Sequence, residues 1–360
     1  MPVSDNNDKS RTTGVADKSK SMNVKEEPVR PGLVTMLDVA RQAKLSRATV
    51  SKIINKSGYV RPETVARVQE VIQRLGYRPN EMARSLVRQK SLTIGVLFPW
   101  HSDPWVGEIL EYMHPLANEY GYNLVVYPSG DMSGDVNYSL DALMSWRVDA
   151  LIAFVYLESN LIRQLSAQRI EVVSWGFPDE AFPLVHFICV DINLGLSRIA
   201  TYLARLGHRN VAYIGYEADL MDILTKAYKL VRPDAEVIFQ PLSDHTAQAG
   251  SDAVASLLAA AKPRPTAIVC RTDTIAIGVL SGLDHAGLRV PEDISVVGIN
   301  DINLAQFTKP PLTTLRLSPQ VIAKRMMDTT IAVLRDEIVP QFQPITPELV
   351  VRESTALPSI

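Results

Sequence analysis

The sequence predicts an all-α helix-turn-helix head with a hinge helix, joined to an α/β body of two doubly wound subdomains. Three observations carry that prediction. Two short helical patterns are joined by a tight turn within residues 35–54; apolar strands alternate with helix-length segments from Thr93 onward; and the strands number about nine, too many for one small sheet. A chain of 360 residues with 46% hydrophobic content can bury more than one core. No run approaches the ~18 apolar residues of a membrane helix, and no apolar segment follows the N-terminal charges, so a cytoplasmic protein is expected. Cys189 and Cys270 lie in apolar strand-like runs without CxxC spacing, which reads as buried thiols in a reducing compartment.

Net charge is −2, but the charge is unevenly spread. Residues 35–90 hold 12 Lys/Arg against Asp38, Glu63, Glu70 and Glu81, a balance of +8, whereas residues 91–360 hold 19 basic and 30 acidic side chains, a balance of −11. A basic head on an acidic body is the footprint of phosphate attraction confined to one end. A solvated helical surface that happens to be basic is the plainer alternative.

Taken in order, residues 1–34 are polar and are expected to be disordered, since they cannot bury enough to offset their ordering entropy. The domain expected at 35–79 is a three-helix unit. Thr35 followed by Asp38 is a capping pair ahead of Leu37, Val39, Ala40 and Ala43; Ser46 caps a second helix with Val50 and Ile54 inward. Pro62 opens a third helix, with Val65, Val68, Ile72 and Leu75 as its inner stripe and Gly76 as its stop. Residues 80–92 form a hinge helix and linker. Residues 93–356 form the body, divided into 93–191 plus 318–340 and 192–317 plus 341–356. Its strands are read at 93–98, 123–127, 150–155, 172–174, 186–190, 210–214, 236–239, 267–270 and 294–297. Pro340 to Pro347 should stop any helix, and no leucine heptads follow that would build a coiled coil.

In a helix-turn-helix the N-terminal side chains of the second helix face base edges in the major groove, which here selects Arg47, Ala48 and Lys52. Ser46, Thr49, Ser51 and Asn55 are short polar residues placed to bond phosphates. The segment from Asn80 to Val87 is only two turns long and would order on DNA, with Arg84 for phosphate or minor-groove contact. Leu86 would be its apolar wedge, or would seal the head against the body. In the body Asp103, Trp105, Tyr156, Trp175, Arg271, Asp273 and Asn300 fall at or just beyond strand C-termini, where α/β clefts bind ligands; a solvated loop position is the alternative for each. No GxSxG elbow, HExxH, Walker loop or dinucleotide fingerprint is present, and the six histidines lack metal spacing. An enzyme, a metal site and a cofactor are therefore not expected.

The stretches Thr35-Met-Leu-Asp-Val-Ala40, Ser46-Arg-Ala-Thr-Val-Ser51, Leu75-Gly-Tyr-Arg-Pro-Asn80 and Ala83-Arg-Ser-Leu86 resemble the lactose-repressor (LacI/GalR-type) family of bacterial transcription regulators. The body is similar to that family at Thr93-Ile-Gly-Val96, Leu206-Gly-His-Arg-Asn-Val-Ala212, the run from Gly287 to Gly298, and Pro310-Pro-Leu-Thr-Thr-Leu315. The resemblance spans residues 35 to 356. It implies a homodimer on a near-palindromic DNA operator, hinge helices paired at its centre with Leu86 inserted, and a periplasmic-binding-protein-like body whose cleft takes a small-molecule effector, commonly a sugar or sugar acid. Effector binding would shift the subdomains and so alter operator affinity, the behaviour of an allosteric repressor. A solute-binding receptor module without a DNA role is the alternative. Several positions depart from the family: Lys44 stands where Gly is usual, the segment from Leu220 to Tyr228 lacks the usual ligand-gripping Arg, Thr272-Asp273 replaces Asn-Asp, and Asn300 stands where Asp is frequent.

Overall fold

The computed structural model describes residues 34–55, 57–77, 90–99, 103–129, 136–176, 185–216, 218–242, 244–261 and 263–359. The disorder expected before residue 34 and the hinge helix expected from residue 80 lie outside the described residues. The chain divides into two compact units, Met1–Asn80 and Glu81–Ile360.

In the first unit, α1 (Met36–Ala43), α2 (Arg47–Ile54) and α3 (Pro62–Leu75) share one small core of Val39, Ala40, Ala43, Val50, Val68, Val71 and Tyr77. The Asp38 carboxylate reaches back to the Thr35 N–H at 2.9 Å and its hydroxyl at 2.6 Å, so the start of α1 is fixed by its own side chains. Ser46 accepts from the Thr49 N–H at 3.1 Å and caps α2. The stripe of α3 sits slightly off the expected one: Val71 and Tyr77 are buried where Val65 was expected, because the chain after Gly76 folds back and Tyr77 closes the core. Lys44 ends α1 at φ 52°, the left-handed geometry that glycine adopts freely.

The second unit holds two six-stranded sheets built to one plan. The first has the order β2-β1-β3-β4-β5-β11, from Thr93–Pro99 (β1), Asn123–Ser129 (β2), Ala150–Ala153 (β3), Glu171–Trp175 (β4), Val185–Val190 (β5) and Phe342–Ile345 (β11). The second has the order β7-β6-β8-β9-β10-β12, from Asn210–Gly215 (β6), Glu236–Pro241 (β7), Ala267–Cys270 (β8), Ser295–Asn300 (β9), Thr313–Arg316 (β10) and Glu348–Val350 (β12). Among the described strands only β12 runs antiparallel to its neighbour. The first lobe carries helices α4 (Pro104–Tyr120), α5 (Val136–Ser145), α6 (Ser159–Ala167) and α11 (Pro319–Leu334); the second carries α7 (Ile192–Leu206), α8 (Ala218–Val231), α9 (Ala247–Ala260) and α10 (Asp273–His285). Parallel strands buried on both faces explain the continuous apolar runs in β3 and β8.

Two differences from the expected division have local causes. The sequence places residues 341–356 in the second lobe, but β11 pairs in parallel with β5, so the last crossing between lobes falls between Ile345 and Glu348. Pro344 is tolerated there because β11 is an edge strand. Strands β10 and β12, only four and three residues long, carry too little alternation to read in advance. Helices α9 and α10 approach closely because Gly250 and Gly278 have no side chain: a Cβ at Gly278 would stand 1.8 Å from the Ala247 carbonyl oxygen. That packing fixes where α10 begins, and with it the rim of the second lobe.

Candidate functional site

On the head, Ser46, Arg47, Ala48 and Lys52 are exposed along the start and outer side of α2. Thr49 and Ser51 are half-buried and already engaged: the Thr49 hydroxyl lies 2.8 Å from that of Ser46, and Ser51 Oγ accepts from Asn55 Nδ2 at 3.1 Å. Asn55 Oδ1 is buried with no hydrogen-bond partner among the described residues, so an incoming donor would find it unsatisfied. Asn80, Arg84 and Leu86 lie outside the described residues. Sequence reasoning passed over Tyr59, 89% exposed in the turn between α2 and α3. A large aromatic in a polar, basic turn was its signal.

In the body a cavity of about 270 Å³ sits at the carboxyl ends of both sheets. The first lobe contributes Asp103, Trp105, Phe154 and Trp175; the second contributes Tyr216, His245, Arg271 and Asn300. The aromatic side is a tight cluster, with Trp105 and Trp175 edge to face at 5.4 Å and Phe154 tilted against Trp175 at 6.3 Å. Across from it, the Arg271 guanidinium stands 5.4 Å over the Tyr216 ring, and His245 meets the same ring edge-on at 3.9 Å.

The N-terminal turn of α4 ties this cavity to both lobes. Asp103 caps the helix, with Oδ1 accepting from the Trp105 N–H at 3.0 Å, while its Oδ2 is buried without a hydrogen-bond partner among the described residues. Trp105 donates its indole N–H to the Leu317 carbonyl at 2.8 Å, in the connection from β10 to α11 that crosses between lobes, so its ring face alone is offered to a ligand. One turn later Glu108 accepts from the Asn303 N–H of the second lobe at 2.8 Å, and burial holds its carboxyl above the usual range.

Five of the seven residues expected at the effector site line this cavity: Asp103, Trp105, Trp175, Arg271 and Asn300. Tyr156 does not; it is 73% exposed and lines a neighbouring cavity. Asp273 requires a correction. It is fully buried at the start of α10, with Oδ1 accepting from the Thr314 hydroxyl at 2.6 Å and Oδ2 from the Ile302 N–H at 2.8 Å. Both oxygens serve the fold, and burial pushes its carboxyl up to about 8. Its place at a strand end was right for a ligand residue, but the side chain turns inward to tie α10 to β10. The neighbouring Asp301 is likewise structural, gripped by Arg316 at 2.7 Å and Arg352 at 2.6 Å. Tyr216 and His245 went unread because each is a ring in a loop, and Phe154 because the strand expected at 150–155 ends at Ala153; only the fold brings them to one rim.

Cys189 and Cys270 are both buried free thiols, raised by burial, Cys189 to about 11. Among the described residues no cluster of three or more His, Cys, Asp or Glu could hold a metal, and no helix is long and apolar enough to cross a membrane.

Residues 35–80 match the family model described as bacterial regulatory proteins, lacI family, and residues 200–355 match that of the periplasmic binding protein-like domain. The HTH-type transcriptional repressor PurR of Glaesserella parasuis is 31% identical over 342 residues, covering 89% of this chain and 98% of that protein. Catabolite control protein A of Priestia megaterium is 28% identical, covering 85% and 97%. Among solved structures, the lac repressor dimer bound to operator and the anti-inducer ONPF superposes with a TM-score of 0.79 at 25% identity, covering 90% of this chain and 100% of that one. A complex of the transcriptional regulator CelR with cellobiose has a TM-score of 0.64 at 25% identity, covering 89% and 99%.

Proposed function

The chain belongs to the lacI family of bacterial regulatory proteins, and from that premise we propose that it is a sequence-specific DNA-binding transcriptional repressor, a homodimer on a near-palindromic operator, whose affinity is set allosterically by a small molecule bound between its two lobes. The observation that carries the reading is the cavity walled by both lobes, with Trp105 of the first bonded to Leu317 in the crossing connection after β10. A ligand that fills it touches residues of both lobes and so favours one lobe arrangement over another, which is the requirement for coupling.

Arg47 and Lys52 read base edges, Ala48 adds an apolar contact, and Ser46, Thr49, Ser51 and Asn55 fix the register on phosphates. Asn80, Arg84 and Leu86 form the hinge contact. Asp103, Trp105, Trp175, Arg271 and Asn300 hold the effector. A ligand rich in hydroxyls, as cellobiose is in the CelR complex, suits the unpartnered Asp103 Oδ2. The protein acts in the cytoplasm, turns over no substrate and needs no metal or cofactor. A solute receptor without a DNA role is disfavoured by the basic head that matches the lacI model.

The test is anisotropy of the full-length protein on operator duplex selected from a random pool, repeated from about 50 to 200 mM salt. Six or more phosphate contacts weaken binding by a factor on the order of 10³ over that range. A flat response would contradict the DNA role.

A further inference from the structure

We propose that the first lobe holds a second ligand subsite, for a planar apolar group, so that an effector filling both cavities joins a ring to a donor-rich polar part. The proposal rests on the cleft reading above and deepens it. A second cavity of about 250 Å³ shares two walls, Phe154 and Trp175, with the effector cavity. Its remaining walls include Leu157, Ile162, Val185 and Phe187, and Tyr156 at its edge is 73% exposed.

The side chains of this wall offer water few partners. A buried water needs two to four polar partners. The one polar side chain in the wall besides Tyr156 is Ser174, whose hydroxyl is already turned to the Trp175 carbonyl at 3.5 Å. An apolar cavity of roughly 150 Å³ is known to stay dry and take up benzene, so 250 Å³ has room for a ring of one or two cycles. Moving such a ring from water into poorly hydrated apolar space is favourable.

The polar end of the ligand is set by the adjoining cavity. Asp103 Oδ2 is buried in its wall without a partner among the described residues and would be satisfied by an O–H or N–H donor. A molecule with a ring in the second cavity and donors against Asp103 passes beside Phe154 and Trp175, the two residues that line both cavities. The class this selects is an aryl or heterocyclic ring bonded to a group bearing several donors.

The experiment uses the full-length protein and 5-fluoroindole, followed by ¹⁹F line broadening. Saturable binding to the wild type is expected, weakened at least tenfold in Ser174→Phe, which fills the second cavity. Far-UV melting and operator binding establish that Ser174→Phe is folded. Should it fail to fold, Tyr156→Ala, altered at an exposed position, must weaken the probe at least threefold. No binding to the wild type, or equal binding to the folded cavity-filling variant, overturns the proposal. Loss of the cleft reading shows separately, as operator release that survives Trp105→Ala.

Discussion

The two lobes of the body share a strand order but finish their rims in opposite ways. After the third strand of the second lobe, Thr272 caps α10 by accepting from the Ile275 N–H at 3.2 Å, and buried Asp273 ties that helix to Thr314 and Ile302. After the third strand of the first lobe, Glu158 stands at the start of α6 without a side-chain cap bond, Tyr156 is exposed, and a cavity of about 250 Å³ remains. One rim is locked by hydrogen bonds; the other is left open and lined with rings. A duplicated topology therefore supplies two different surfaces to one cleft, polar and fixed on one side, apolar and roomy on the other.

The comparison is broken most severely at Asp273. Asp273→Ala strips the acceptor from a buried N–H and a buried hydroxyl, and should lower the stability of the second lobe by about 3 kcal/mol in a urea titration. Its titration has a definite sign. The folded-state value near 8 lies above the ordinary carboxyl value of 3.8, so Asp273 favours folding most below pH 4 and loses that contribution as pH rises toward 8. Asp273→Asn should flatten stability over that window, which a series of melts from pH 4 to 8 would read.

A smaller effect is expected at the helix caps, with opposite signs in the two lobes. Thr272→Ala should destabilise by about 1 kcal/mol, while Glu158→Ser, which gives α6 the cap it lacks, should stabilise by about 0.5 kcal/mol. If both changes prove neutral, the contrast between locked and open rims has no energetic content.

Much of this was legible in the chain. The head announced itself through Thr35-Asp38, Ser46 and Pro62, which are local signals read within a few residues of where they act. The strand ends of the body also placed Asp103, Trp105, Trp175, Arg271 and Asn300 at one cavity before any fold was known. What escaped was orientation. Asp273 and Arg271 are two residues apart at the same strand end, yet one turns into the core and the other faces the cleft, a choice set by Thr314 more than forty residues away. His245 and Tyr216 meet at 3.9 Å only because β6 and β7 are neighbours, and no spacing rule joins them. Edge strand β11 was hidden by Pro344 within it and by Pro340 and Pro347 on either side.

The central claim is that the cleft between unlike rims governs operator binding. Its most direct measurement is the operator affinity of Trp105→Ala with and without a compound found to shift the wild-type protein on its operator. Operator affinity in the absence of the compound should stay within about threefold of wild type, because Trp105 belongs to the body, while the response to the compound should fall at least tenfold as its aromatic wall is lost. A full response in Trp105→Ala, with wild-type potency, would contradict the account.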